Sequence, residues 1–161
     1  MKSIIMKRET IMRLSPHFSL AEFTYSDTAI KLKINNTPAN GHIMKLTHLC
    51  ENVLEPIRTH FNRPVRITSG YRSPALCVAI GSKKTSQHAK GEAADFEITG
   101  ISNYELAKWI RDNIIFDQLI LENYIRGNPN SGWIHCSYRA NRLRKETLTY
   151  SRRTYFNGLV A

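Results

Sequence analysis

Apolar residues recur at helical spacing across residues 39–61. Ile43, Leu46, Leu49, Cys50, Val53, Leu54, Ile57 and Phe61 fall on one stripe, the mark of a long amphipathic helix with one buried face. Pro56 lies inside this run. It lacks an N–H and crowds the preceding turn, so the pattern predicts a kink or a split there. A short helix is expected earlier, where Ser19 and Glu22 have the spacing of a capping box ahead of Phe23. Ser102 and Glu105 repeat that spacing before a further helix with Leu106, Trp109 and Ile110 on its inner face. Residues 75–80 read as another short helix. Residues 63–68, 94–98, 116–122 and 133–138 instead carry strand patterns. Turn-rich stretches separate them, notably Ser69-Gly70-Tyr71-Arg72-Ser73-Pro74 and residues 127–132. Residues 155–159 are a candidate to close the sheet. Helices come first and strands follow, which predicts an α+β domain with a small, largely antiparallel sheet and flanking helices. Residues 1–13 read as an N-terminal extension and residues 14–161 as a single domain without repeats or linkers.

Composition narrows the function classes. With 161 residues, 42% of them hydrophobic, the chain can bury a real core and is not a disordered tail. It carries 23 basic against 13 acidic residues, a net charge of +10. Such an excess favours an anionic partner: nucleic acid, anionic lipid or the bacterial wall. No recognition-helix, RNP or zinc-finger pattern accompanies the charge, which argues against specific nucleic-acid binding. No apolar run approaches the ~18 residues of a membrane span. The apolar runs near Met1 are too short for a signal-peptide core, so synthesis in the cytoplasm without a signal peptide is expected. Cys50, Cys77 and Cys136 are odd in number and lack a CxxC spacing. They point to neither a disulfide framework nor a thiolate zinc knuckle, and fit a reducing compartment.

The chemistry concentrates in Ser86-Gln87-His88-Ala89-Lys90-Gly91-Glu92-Ala93-Ala94-Asp95 and in Trp133-Ile134-His135. Two histidines and one carboxylate form a ligand set used in catalytic zinc sites, where a fourth position stays open for water. His88, Asp95 and His135 are therefore the candidate metal ligands. Strand alternation puts Trp133, His135 and Ser137 on one face and Ile134, Cys136 and Tyr138 on the other. Cys136 then points into packing and is no partner for His135. Asp95 and Glu97 likewise face away from Ala94, Phe96 and Ile98. Gly91, Ala93 and Ala94 leave room for close backbone passage. His42, His48 and His60 have no carboxylate or cysteine at ligand spacing and read as surface or packing histidines.

Taken in order, Ser69-Gly70-Tyr71-Arg72-Ser73-Pro74, then Ser86-x-His88-x2-Gly91-x-Ala93-x-Asp95, then Trp133-x-His135 resemble the zinc D-alanyl-D-alanine carboxypeptidase family. That family also includes phage endolysins that cut the L-alanyl-D-glutamate bond. The resemblance is closest to small phage and prophage peptidoglycan peptidases and runs from about Leu14 to Leu159. It implies the hedgehog/DD-peptidase fold and one zinc ion on His88, Asp95 and His135. It implies a substrate-binding and catalytic role for Arg72, on the substrate carbonyl or its developing oxyanion. Ser86 and Gln87 become candidate substrate hydrogen-bonders or supports of the ligands. The expected function is hydrolysis of peptidoglycan stem peptides, as a carboxypeptidase or an endopeptidase, with action at the periplasm or cell wall. Delivery through a holin or in a virion would fit.

One departure from the family pattern matters. Many relatives carry the general base three residues before the last histidine, where this chain has Gly132. Glu122, at the end of Leu119-Ile120-Leu121, is the candidate base. Asp117 is the reserve, on the opposite face by alternation. Relatives also often have asparagine at Cys77 and glycine at Ser82, so the loop 77–85 departs as well. Gly132 motivates an alternative: a non-catalytic murein-binding or virion structural protein of the same fold.

Overall fold

The computed structural model describes residues 11–160. Most of the expected extension at residues 1–13 lies outside them. Strands β1 (Arg13–Ser15) and β2 (Phe18–Ser19) form a small hairpin that leads into α1 (Leu20–Thr24). The Glu22 carboxylate accepts from both the backbone N–H and the hydroxyl of Ser19, at 2.7 Å each, as the capping-box spacing predicts. A short helix α2 (Asp27–Lys31) follows, then the long apolar stripe.

That stripe forms one continuous rod of three parts. Helix α3 (Asn40–Leu49) widens into a π-helical segment (Cys50–Leu54) and resumes as α4 (Glu55–Phe61). Pro56 cannot donate to the carbonyl one turn back. The chain therefore neither splits nor stops there. The preceding turn widens, and the Glu55 N–H reaches the Cys50 carbonyl, so the lost bond is absorbed before the proline.

After the rod come β3 (Arg66–Ser69), α5 (Pro74–Ala79), β4 (Ala93–Glu97), α6 (Asn103–Asn113), β5 (Gln118–Glu122) and β6 (Trp133–Ser137). Two last strands, β7 (Glu146–Ser151) and β8 (Thr154–Asn157), complete a six-stranded sheet of order β3-β4-β6-β5-β7-β8. Every neighbouring pair is antiparallel except β5 with β7. The fold is α+β, as expected, with a larger sheet than the sequence indicated. Strand β7 went unrecognised because only Thr149 is buried along it, so it lacks the apolar alternation that marks a half-buried strand. Among the described residues no helix is long and apolar enough to cross a membrane.

One sheet face makes the core. Ala94, Phe96, Leu119, Leu121, Ile134 and Cys136 are fully buried there, packed with Leu46, Val53, Leu54 and Ile57 of the rod and with Leu106 and Ile110 of α6. Ser102 does stand at the start of α6, but its side chain makes no capping bond, and Glu105 pairs with Lys108. The first turn is held from outside: the Asn103 N–H donates to the Pro129 carbonyl, and its side-chain amide to the carbonyls of Ser131 and Gly132. The helix start thereby fixes the loop before β6. His60 stacks on Trp109 at 4.2 Å and His42 lies against Tyr71, the packing roles expected of them. Phe96 sits at the centre of this layer. Phe96→Ala is expected to lower the unfolding free energy by about 3–5 kcal/mol, measured by urea denaturation.

Candidate active site

The opposite sheet face is open, and residues paired across neighbouring strands share a face. Asp95 on β4 lies directly across from His135 on β6, which lies across from Ile120 on β5. The next row holds Trp133, Glu122, Tyr150 and Tyr155. His88 reaches this face from a single 3₁₀ turn (His88–Lys90) ahead of β4. Gly91 ends that turn at φ +69, where a Cβ would stand 2.6 Å from the His42 carbonyl oxygen. Only glycine brings the chain this close to α3 before it turns into the strand.

His88, Asp95 and His135 converge. His88 Nε2 stands 3.2 Å from His135 Nδ1 and 3.2 Å from Asp95 Oδ1, and the latter two atoms are 2.9 Å apart. All three residues are buried. Ligands held at about 2.0–2.1 Å by a tetrahedral ion would stand roughly 3.3–3.4 Å from one another, so a few tenths of an ångström separate this triangle from a coordination face. The donor chemistry also fits. His88 Nδ1 lies 2.7 Å from the Gly70 carbonyl, which can only accept, so Nδ1 carries the proton and Nε2 turns a lone pair toward the Asp95 carboxylate. Burial pulls the His88 imidazole below its ordinary pKa, with Asp95 opposing. Burial would raise the Asp95 carboxyl, but His88 and His135 beside it hold it well below the usual carboxylate range. A neutral imidazole and an ionised carboxylate are the states a metal ion requires. Among the described residues this is the one cluster of histidine, cysteine and carboxylate groups able to hold a metal ion.

Arg72 covers the other Asp95 oxygen, with Nη2 at 2.6 Å from Oδ2, and its Nε–H donates to Ser69 Oγ at 2.8 Å. The guanidinium is thus fixed beside the triangle. Glu122 lines the same cleft. Burial raises its carboxyl above the ordinary value and the charge of Asp95 adds to this, while His135 and Arg72 oppose it. Gly132 adopts φ +68, and a Cβ there would collide with the Glu122 carbonyl oxygen and lie 2.7 Å from the Tyr124 nitrogen. No side chain fits at that position in this conformation; of the carboxylates lining the cleft, Glu122 on β5 is the one without a cationic partner among the described residues.

Three other candidates are engaged by protein partners. Ser86 Oγ accepts the His88 N–H at 3.2 Å, fixing the turn that carries the histidine. The Gln87 amide donates to Asp117 Oδ2 at 2.8 Å. Asp117 itself is buried at the start of β5, gripped by the Arg144 fork at 2.6 and 3.0 Å. This corrects its standing as reserve base: it is a structural anchor, away from the triangle, with no oxygen left open to solvent.

The cleft over this face has a volume of about 880 Å³. Its walls include residues not singled out from sequence: Lys83, Lys90, Arg139, Arg142, Tyr150 and Tyr155. Three of these, Arg139, Arg142 and Tyr150, come from the C-terminal stretch 139–153. Its signal lay in the charges themselves, six basic residues between Arg139 and Arg153.

A buried His-Asp-His cluster on the open face of an α+β sheet, with an arginine and a carboxylate beside it, defines the class of single-metal hydrolytic centres. The family model described as Peptidase M15 matches residues 16–137, and the chain belongs to that family, a family of zinc metallopeptidases. No curated protein matches it.

Asp117 gives a test of the scaffold. Burial would raise its carboxyl, but Arg144 and Gln87 hold it below the ordinary range. A depressed folded-state value contributes stability above the unfolded pKa of about 3.9, and that contribution is lost as pH falls through the folded value. Asp117→Asn is expected to cost about 2 kcal/mol at neutral pH. The gap from wild type should narrow below about pH 4, read by denaturant unfolding at both pH values.

Proposed function

We propose that the protein is a zinc-dependent peptidase that hydrolyses peptide bonds in peptidoglycan stem peptides at the bacterial cell wall. The observation that carries this reading is the buried triangle of His88, Asp95 and His135 at the floor of an open cleft, in a chain of the Peptidase M15 family. Zinc held there by those three residues supplies an activated water, with its pKa lowered toward ~7, and a Lewis acid for the scissile carbonyl.

The chain's own residues supply the rest. Arg72 has Nη1 without a protein partner among the described residues, and it donates to the carbonyl oxygen as negative charge gathers there. Glu122 takes one proton from the attacking water as the oxygen bonds to the carbonyl carbon. It returns that proton to the amide nitrogen as the C–N bond breaks. The products are a carboxylic acid and an amine, and Glu122 ends ionised, as it began. Ser86 and Gln87 act behind His88, the first by capping its turn and the second by tying that turn to Asp117.

The direct test is mass spectrometry of soluble products released from purified peptidoglycan, with and without a zinc chelator. Chelator-sensitive peptide release supports the reading, and the fragment masses name the bond. Wall binding without product would favour the second reading, a non-catalytic murein-binding protein, for which Gly132 at the usual base position is the motivation. His88→Ala is expected to abolish both bound zinc, measured by metal analysis, and activity. Retention of either removes His88 from the ligand set. Glu122→Gln should keep the zinc and lower kcat by about 10²–10⁴-fold. Unchanged turnover would move the base elsewhere.

A further inference from the structure

The charges of the cleft divide into two groups. Arg72 and Arg144 are committed to Asp95, Asp117 and Glu146. Lys83, Lys90, Arg139 and Arg142 also line the cleft, and among the described residues none of them pairs with a carboxylate. The acids lie on the floor and at its edge. Asp95 faces Arg72 and the two histidines, and Glu92 pairs with Lys45. The rims are therefore cationic above a floor whose acids are mostly engaged.

Arg139 and Arg142 are the better-placed pair. They share one tight turn, closed by the Arg142 N–H donating to the Arg139 carbonyl at 2.8 Å. The turn is pinned at both ends. Before it, the Tyr138 N–H donates to the Glu92 carbonyl at 2.9 Å; after it, Arg144 grips Asp117 and the Lys145 N–H donates to the Phe116 carbonyl. Two guanidiniums on an anchored turn are prepared to meet a carboxylate in forked geometry. A cleft of about 880 Å³ suits a peptide-sized ligand. The turn lies beyond residue 137, outside the segment matched by the family model.

We infer that Arg139 and Arg142 bind a free carboxylate of the substrate and make the enzyme selective for stem peptides whose carboxyls are ionised rather than amidated. This rests on the stem-peptide reading above. Lys83 and Lys90, which line the same cleft, add long-range attraction, which salt screens.

The test compares a fluorescent stem peptide with free carboxyls and the same peptide with each carboxyl converted to the amide. Binding is read by fluorescence anisotropy on the full-length, zinc-loaded chain carrying Glu122→Gln. The acid peptide is expected to bind about tenfold more tightly than the amide at low salt, with the gap shrinking as salt rises. Adding Arg139→Gln and Arg142→Gln should bring the two affinities together while leaving that for the amide unchanged, which also reports an intact fold. In the otherwise wild-type enzyme the same pair of changes should raise KM for the acid peptide and spare kcat; lysine at both positions should recover part of the loss. Equal binding of the two peptides, or an undiminished preference after the double change, overturns this inference and leaves the stem-peptide reading standing. Binding of neither peptide overturns both.

Discussion

The register between β4 and β6 is the constraint on which the site depends. Asp95 sits opposite His135 because Phe96 sits opposite Ile134. Side chains alternate faces along a strand, so a slip of one residue would turn Asp95 into the core and put Phe96 in the cleft. The apolar layer of Phe96, Ile134, Cys136 and Leu121 thus does more than hold the sheet on its helices. It fixes which carboxylate meets which histidine. Burial of one face sets the chemistry of the other.

A second tie joins the walls of the cleft. Asp117 accepts from Gln87 and from Arg144, which both line the cleft. Gln87 immediately precedes His88, and Arg144 follows two residues after the turn bearing Arg139 and Arg142. One buried carboxylate therefore couples the position of a metal-ligand candidate to that of the cationic rim. A charge-assisted network of this kind is rigid when every member is satisfied and costly when one is missing.

Much of this could be read from the chain. The rod was visible because Leu46, Leu49, Val53 and Ile57 all meet the core and repeat at helical spacing. Glu22 was predictable because its partner is three residues away. His88, Asp95 and His135 were legible as residue types in a recognisable order. What escaped depends on partners distant in sequence. Nothing local to Asp117 announces Arg144, and nothing local to Gln87 announces Asp117. Strand β7 escaped because its neighbour β5 pairs with it in parallel after a long connection and little of it is buried. The spacing of Ser102 and Glu105 was correct for a cap, yet the loop carbonyls of residues 129–132 supplied the outside contacts at that helix start.

Gly132 carries a consequence for how such a site can change over time. The Glu122 carbonyl occupies the space a side chain at position 132 would need. The two places from which a carboxylate could serve the cleft are therefore mutually exclusive within this backbone. A carboxylate cannot be gained at position 132 by a single replacement while the end of β5 stays where it is. The strand end must be remodelled first, and its neighbours Trp133 and Tyr150 with it. In this backbone a carboxylate at position 132 is thus excluded by the clash of its Cβ with main-chain atoms of residues 122–124, whatever the chemistry of the cleft requires.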